Sequence, residues 1–317
     1  MKPTFSMDAA LGAPFALIRR RPLTVLGWGI AMFAAVAAIS AVMFPLFLRL
    51  PWNEGDAMME AYTAELLQLQ AAINGLNIIQ YLVMLVLANA VRRAVLAPGR
   101  RDAFLFMRLS MDEVRVAVVV IATFVSWYVA VLVLILIGFA LGVALWSMGE
   151  PVAVGVAMIY AVLVLIGAIV GWVRVSLMAP ATLILGRFAF AEGWAIARGQ
   201  VLKLIGMNLL VWLINVLAYL LFLVVVAAIL VGGFFGQGLV WPSVVDSPLD
   251  LMPLVRPMTI PFLATLPILA LSLGFHMSLI TAPSIVAARQ LLDGVPVPPV
   301  TVVADAAVGD GLEPPVA

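Results

Sequence analysis

The residues of this chain whose types could do chemistry are few, and they cluster at the ends of apolar runs. His276 is the sole histidine and cysteine is absent. That composition excludes disulfides, thiolate nucleophiles, Cys/His zinc sites and haem or iron-sulfur ligation through those residues. No phosphate-binding glycine loop, H-E-x-x-H or G-x-S-x-G pattern occurs, and no nucleophile stands beside a base, so catalysis is not expected and no catalytic, cofactor or metal site is assigned. What remains is Arg92, Arg174 and His276 in a repeated setting, with Ser176, Asn208, Asn215 and Ser278 as further polar groups inside apolar stretches.

The repeated setting reads Arg92-Arg-Ala-Val-Leu-Ala-Pro98, Arg174-Val-Ser-Leu-Met-Ala-Pro180 and, with one extra residue, His276-Met-Ser-Leu-Ile-Thr-Ala-Pro283. A cation at the membrane boundary can reach lipid phosphates, a small residue lets another helix approach, and Ala-Pro ends or bends a helix. Arg92, Arg174 and His276 are therefore candidate interfacial anchors or lipid headgroup contacts. A ligand site built from the three copies is the competing reading. By its equivalence to the two arginines, His276 belongs near the same interface rather than in a proton relay. Asn208 and Asn215 lie seven apart, on one helical face, and with Ser176 and Ser278 they either pack helices or line a polar pathway.

The elements that must position these groups follow from composition. Hydrophobic residues make up 65% of the 317 positions and charged ones only 10%, less than half of what a soluble domain carries, so the chain is read as an integral membrane protein. Six charge-free runs of at least 23 residues separate Arg21 from Arg49, Glu65 from Arg92, Arg115 from Glu150, Glu150 from Arg174, Lys203 from Asp246 and Arg256 from Arg289. Each exceeds the roughly 20 residues a helix needs to cross a bilayer. The spans are placed at Leu23–Leu48, Ile73–Val95, Val116–Met148, Val152–Ala179, Leu204–Phe235 and Met258–Ala287. The third and fifth runs are long, but neither holds a polar turn, so each counts as one helix.

Charge placement orients them. Of 17 Lys and Arg, 15 fall on the side of the termini and only Arg49 and Arg256 on the other, beside Glu54, Asp56, Glu60, Glu65, Glu150, Asp246 and Asp250. An excess of basic residues in short loops marks the cytoplasmic face, so both termini are expected there. Trp52, Trp146 and Trp241 at the outer ends and Trp28 and Trp172 near the inner ends fit an interfacial aromatic belt. The acidic segment Asn53–Glu65 reads as a solvated outer face. A net charge near +1 gives no field for capturing nucleic acid.

The fold class is thus all-α: a polytopic bundle of six transmembrane helices in three parallel two-helix repeats, at about 5–98, 99–180 and 181–290, within a membrane domain of residues 1–292. Segments of mixed polarity precede each odd-numbered span. Arg101, Arg108, Asp112 and Arg115 recur at i, i+7, i+11 and i+14, which predicts one polar helical face; Phe188–Lys203 is a second copy, and Ser6–Arg21 a poorer one interrupted by Pro14. Such segments lie on the membrane surface, with membrane lipids as partners and a protein partner as the alternative. Residues 293–317, rich in Pro and Gly, are expected to form a disordered cytoplasmic tail. Three G-x-x-x-G pairs, Gly138/Gly142, Gly167/Gly171 and Gly232/Gly236, predict close helix packing.

From Arg174 to Leu210 the chain carries Arg-Val-Ser-Leu-Met-Ala-Pro-Ala, then Gly186-Arg187, then Glu192-Gly-Trp-Ala-Ile-Ala-Arg-Gly, then Leu202-Lys-Leu-Ile-Gly. This stretch resembles bacterial six-span membrane proteins that include the membrane domain fused to some glycerophosphodiester phosphodiesterases, and the YciC-like proteins. The resemblance implies a six-span fold in the bacterial inner membrane. It implies no phosphodiesterase activity, which in those proteins belongs to a separate soluble barrel. The functional expectation is a non-enzymatic scaffold or accessory in envelope or lipid-associated processes; the alternative is a permease or lipid transporter with a pathway between the repeats.

Overall fold

Apolar residues fill both faces of the six long runs, so each run buries its backbone polar groups in its own helical hydrogen bonds, the arrangement a bilayer requires. The computed structural model describes residues 4–48, 59–97, 105–107, 110–240 and 252–293. Nine α-helices occur among them, and no strand: α1 Met7–Arg20, α2 Pro22–Leu48, α3 Met59–Leu96, α4 Met111–Leu145, α5 Glu150–Val175, α6 Met178–Leu185, α7 Phe190–Ile196, α8 Val201–Gly236 and α9 Met252–Leu292. Six of them, α2, α3, α4, α5 continuing into α6, α8 and α9, are long and apolar enough to cross a membrane. The chain is an integral, multi-pass membrane protein. Helices α4 and α8 run unbroken, as the missing polar turns predict.

Helix ends follow local chemistry. Ser6 caps α1 by accepting from the Ala9 amide at 3.3 Å, with Asp8 in the first turn and Arg19 and Arg20 in the last, each charge complementing the helix dipole. Pro14 does not interrupt α1; it is buried within it. At α4, Glu113 reaches back to accept from the Ser110 amide at 2.8 Å, as in a capping box. Gly186 ends α6 at φ +62°, a left-handed conformation that costs glycine little, and Arg115 donates to its carbonyl at 2.7 Å.

Helix α9 is the hub, touching α1, α2, α3, α6, α7 and α8. The core gathers at the end of the bundle that carries Arg19–Arg21, Arg92, Arg174, Lys203 and Arg289, here called the basic end. One cluster joins Phe5, Ala10, Leu177, Leu204, Met207 and Leu291; a second joins Val25, Trp28, Leu87, Val91, Phe106 and Met277. The buried side chains of α4 are Glu113, Val116 and Val119, and those of α8 are Leu204, Met207 and Val211, all in the first few turns of each helix. Farther along, residues such as Phe139, Val143, Leu221 and Val224 are exposed, which suits a lipid solvent and not water. Both helix α1 and the last turns of α9 belong to the basic end, so the first and last described helices meet on one side.

Several sequence expectations change. The fourth span runs on past Ala179 to Leu185, with a turn at Ser176-Leu177 separating α5 from α6 within it. Ala-Pro acts differently in each copy: α3 ends at Leu96, Pro180 occupies the first turn of α6, where its missing amide is harmless, and Pro283 lies inside an uninterrupted α9. The polar face expected from Arg101 to Arg115 does not form as one helix, since Leu105 and Phe106 have positive φ and α4 starts only at Met111. Phe188–Lys203 likewise divides between α7 and the start of α8. The tail 294–317, Pro98, Arg101, Arg108, Trp52, Trp241 and the side chains of Glu54, Asp56, Glu60 and Glu65 lie outside what is described.

Glycine packing is also redistributed. A Cβ at Gly138 would lie 2.7 Å from the Tyr160 ring and one at Gly171 2.7 Å from the Trp127 ring, yet Gly142, Gly167, Gly232 and Gly236 face nothing within 4 Å. None of the three pairs works as a pair. The close crossing is elsewhere: a Cβ on Gly29 of α2 would sit 1.7 Å from the Ala270 carbonyl oxygen of α9, and one on Gly274 would sit 2.1 Å from that of Val25.

Candidate functional site

Two adjacent arginines near the end of α3 have opposite fates. A residue step turns the helix by about 100°, so Arg92 and Arg93 face different neighbours. Arg93 forms an ion pair with Glu113, donates to Ser110 Oγ at 3.3 Å and to the Phe106 carbonyl at 3.5 Å, and so fastens the turn before α4 to α3. Arg92 instead donates from Nη1 to Oδ1 of Asn89, one turn back, at 2.8 Å. Asn89 is wholly buried. Its Nδ2 and the Arg92 Nε are buried donors without a partner, and no carboxylate pairs with Arg92 among the described residues.

The Arg92 side chain lines a groove of about 210 Å³ bounded by Val119, Thr123 and Trp127 of α4, Trp172 of α5 and Ser176 in the turn that follows. Trp127 and Trp172 meet edge to face at 6.1 Å. A second groove, of about 330 Å³, lies across Trp127 and is walled by Thr123, Met178, Phe190 and Trp194. Arg174 stacks on Trp194 at 5.1 Å, a cation–π contact, and its Nε is also a buried donor without a partner.

His276 and Asn215 come together between α9 and α8, Nδ1 to Oδ1 at 2.6 Å. The amide oxygen only accepts, so Nδ1 is the donor in this bond, while Nε2 is buried without a partner. Tyr219, Phe222 and Phe275 surround the ring at 6.0 to 6.3 Å. His276 lies 20 residues from Arg256, about 30 Å along the helix. Asn208 is on the same face of α8, two turns nearer the basic end, with Nδ2 unpartnered. Ser176 donates to the Val173 carbonyl at 2.8 Å and Ser278 to that of Gly274 at 2.9 Å, so both hydroxyls are satisfied within their own turns. No hydrogen bond, ion pair or ring contact links Arg92, Arg174 and His276 to one another.

The sequence reading missed Glu113, an acidic side chain only 5% exposed at the mouth of a span. Ser110-x-x-Glu113 before an apolar run was the available signal, the pattern of a capping box. Among the described residues, no three acidic or histidine side chains gather to hold a metal ion. The chain matches no family model, no curated protein and no solved structure, so the resemblance carried by Arg174–Leu210 stands on those residues alone.

Proposed function

We propose that this integral membrane protein is a non-enzymatic scaffold or accessory of the bacterial inner membrane, with both termini cytoplasmic, serving envelope or lipid-associated processes. One observation carries the reading: the bundle is packed tightly at its basic end, where α1, α6, α7 and the last turns of α9 form a layer of helices, and is open to lipid along α4, α5 and α8. A fixed layer at the membrane boundary suits holding lipid or another protein in place. The stretch resembling the phosphodiesterase-associated membrane domain lies in this same layer.

A second reading, a permease or lipid transporter, is favoured by the Asn215–His276 pair and the unpartnered Asn208 amide between α8 and α9. Purified protein in liposomes, challenged with fluorescent short-chain phospholipids and small solutes, separates the two. The scaffold reading expects flux no greater than in protein-free liposomes. Saturable flux lost in Asn208→Ala or Asn215→Ala overturns it.

A further inference from the structure

We infer that the groove between α3, α4 and α5 is a binding site for one anionic phospholipid, with its phosphate on Arg92. The inference goes beyond the scaffold reading and needs only the six-span fold. Arg92 is a permanent cation at the membrane boundary, and no carboxylate pairs with it among the described residues. Every other described arginine tied into this region has an anion or a ring: Arg93 has Glu113, Arg115 has Asp112, and Arg174 has Trp194. Asn89, wholly buried, accepts from one arm of the Arg92 guanidinium and so fixes its plane. Two buried donors, Arg92 Nε and Asn89 Nδ2, are left over. Leaving such donors unmet is costly, and two oxygens of one phosphate satisfy a guanidinium edge with two parallel bonds.

The rest of the groove fits the rest of a lipid. Beyond Arg92, Thr123 and Ser176 its walls are apolar or aromatic, Val119, Val120, Phe124 and Trp127, and Trp172 closes one side while 57% exposed. Indoles prefer the headgroup level and aliphatic walls accept an acyl chain. An arginine that merely snorkels would extend into bulk headgroups; this one is held back against α3 with its Nε covered. A single fixed cation without a local anion favours a lipid of net charge −1 over a zwitterion.

The test is native mass spectrometry of the full chain in detergent, titrated with phosphatidylglycerol, with phosphatidylcholine, or with inorganic phosphate as competitor. One phosphatidylglycerol should bind, at least about tenfold more tightly than phosphatidylcholine, and inorganic phosphate at equal concentration should not displace it. Arg92→Ala should raise the half-saturating lipid concentration about tenfold or more. Val120→Trp, which fills the groove from an exposed position and leaves the charge, should do likewise. Arg19→Ala, an exposed cation at the same end, should shift it less than twofold. Melting temperatures of all three variants confirm that each is folded. Equal losses in Arg92→Ala and Arg19→Ala, unchanged binding in Val120→Trp, equal affinity for both lipids, or displacement by inorganic phosphate would each overturn the site.

Discussion

The backbone amide of Ser6 donates to Oε1 of Gln290 at 2.7 Å, joining two residues 284 positions apart. Around this bond Phe5 and Ala10 pack in one cluster with Ala287, Ala288 and Leu291, and Lys203 donates to the Phe5 carbonyl at 3.5 Å. The last ten residues of α9 extend past the Ala282-Pro283 step and are wrapped by α1 and α6. Closing the first helix onto the last in this way is what makes the basic end a single packed unit. Ala10 is wholly buried, so Ala10→Leu should overpack the cluster and cost about 1–3 kcal/mol, and Gln290→Ala should cost about 1 kcal/mol. Thermal unfolding in detergent measures both; unchanged melting in Ala10→Leu would show α1 to be a loosely held arm.

Gly29 and Gly274 hold α2 against α9 reciprocally, the Ala270 carbonyl of α9 lying where a Cβ on Gly29 would go and the Val25 carbonyl of α2 where one on Gly274 would go. Alanine at either position meets carbonyl oxygen, which cannot rotate away, so the helices must separate by more than an ångström and the Trp28 cluster must open. Gly29→Ala and Gly274→Ala should each lower the yield of folded protein several-fold. Gly142→Ala and Gly167→Ala, with open space around them, should be neutral or gain up to about 1 kcal/mol from helix propensity. Comparing monodisperse yield on gel filtration across the four variants checks the contrast. Loss in all four would restore the paired-glycine reading.

That contrast shows what the sequence makes legible. Number and placement of spans, the unbroken α4 and α8, and the shared side of α1 and the end of α9 follow from charge and apolar length, because crossing a bilayer constrains each helix independently. Which glycine touches which helix depends on crossing geometry, and G-x-x-x-G spacing carries only the possibility of contact. α3 does end just before Ala97-Pro98, but the other two Ala-Pro copies do not stop a helix, for a related reason: proline in the first turn of α6 costs no hydrogen bond, and inside α9 its neighbours hold the helix together. Of the candidate site, Arg92 and the Asn215–His276 pair draw on residues singled out by type and position. Val119, Trp127 and Trp172 complete the Arg92 groove only through contacts between helices.

Arg93 and Glu113 form a largely buried ion pair that ties α3 to the cap of α4. Removing one partner strands the other, so Glu113→Ala and Arg93→Ala should each cost roughly 3 kcal/mol, and the double variant should cost less than the sum. A coupling energy near zero in a double-mutant cycle would assign the stability of this corner to Phe106 and Trp28 instead, through the Trp28 bond to the Leu105 carbonyl at 2.8 Å.

His276 and Asn215 should couple more weakly. Intramembrane hydrogen bonds are worth about 0.6 kcal/mol on average and under about 2 at most, because the unfolded helices find other partners in the bilayer. Asn215→Ala and His276→Ala should therefore leave the protein folded and shift its stability by about 1 kcal/mol, measured by steric trapping or thermal melting. If His276→Ala abolished a cellular phenotype while leaving the amount of folded protein intact, the histidine would be part of the working site and the transporter reading would gain over the scaffold.

Orientation is testable with unusual economy because the chain has no cysteine, so one introduced thiol reports without background. Ser147 is exposed in the turn between α4 and α5, and Arg198 is exposed just after α7 at the basic end. The basic excess at that end predicts that it faces the cytoplasm, since basic residues next to a span resist translocation. A membrane-impermeant maleimide should thus label Ser147→Cys in intact spheroplasts and Arg198→Cys only after lysis. Neither substitution touches the core, so both variants should express as the parent does. The opposite pattern would place the packed helix layer, the Arg92 groove and its lipid in the outer leaflet, and would move the scaffold from the cytoplasmic to the periplasmic face.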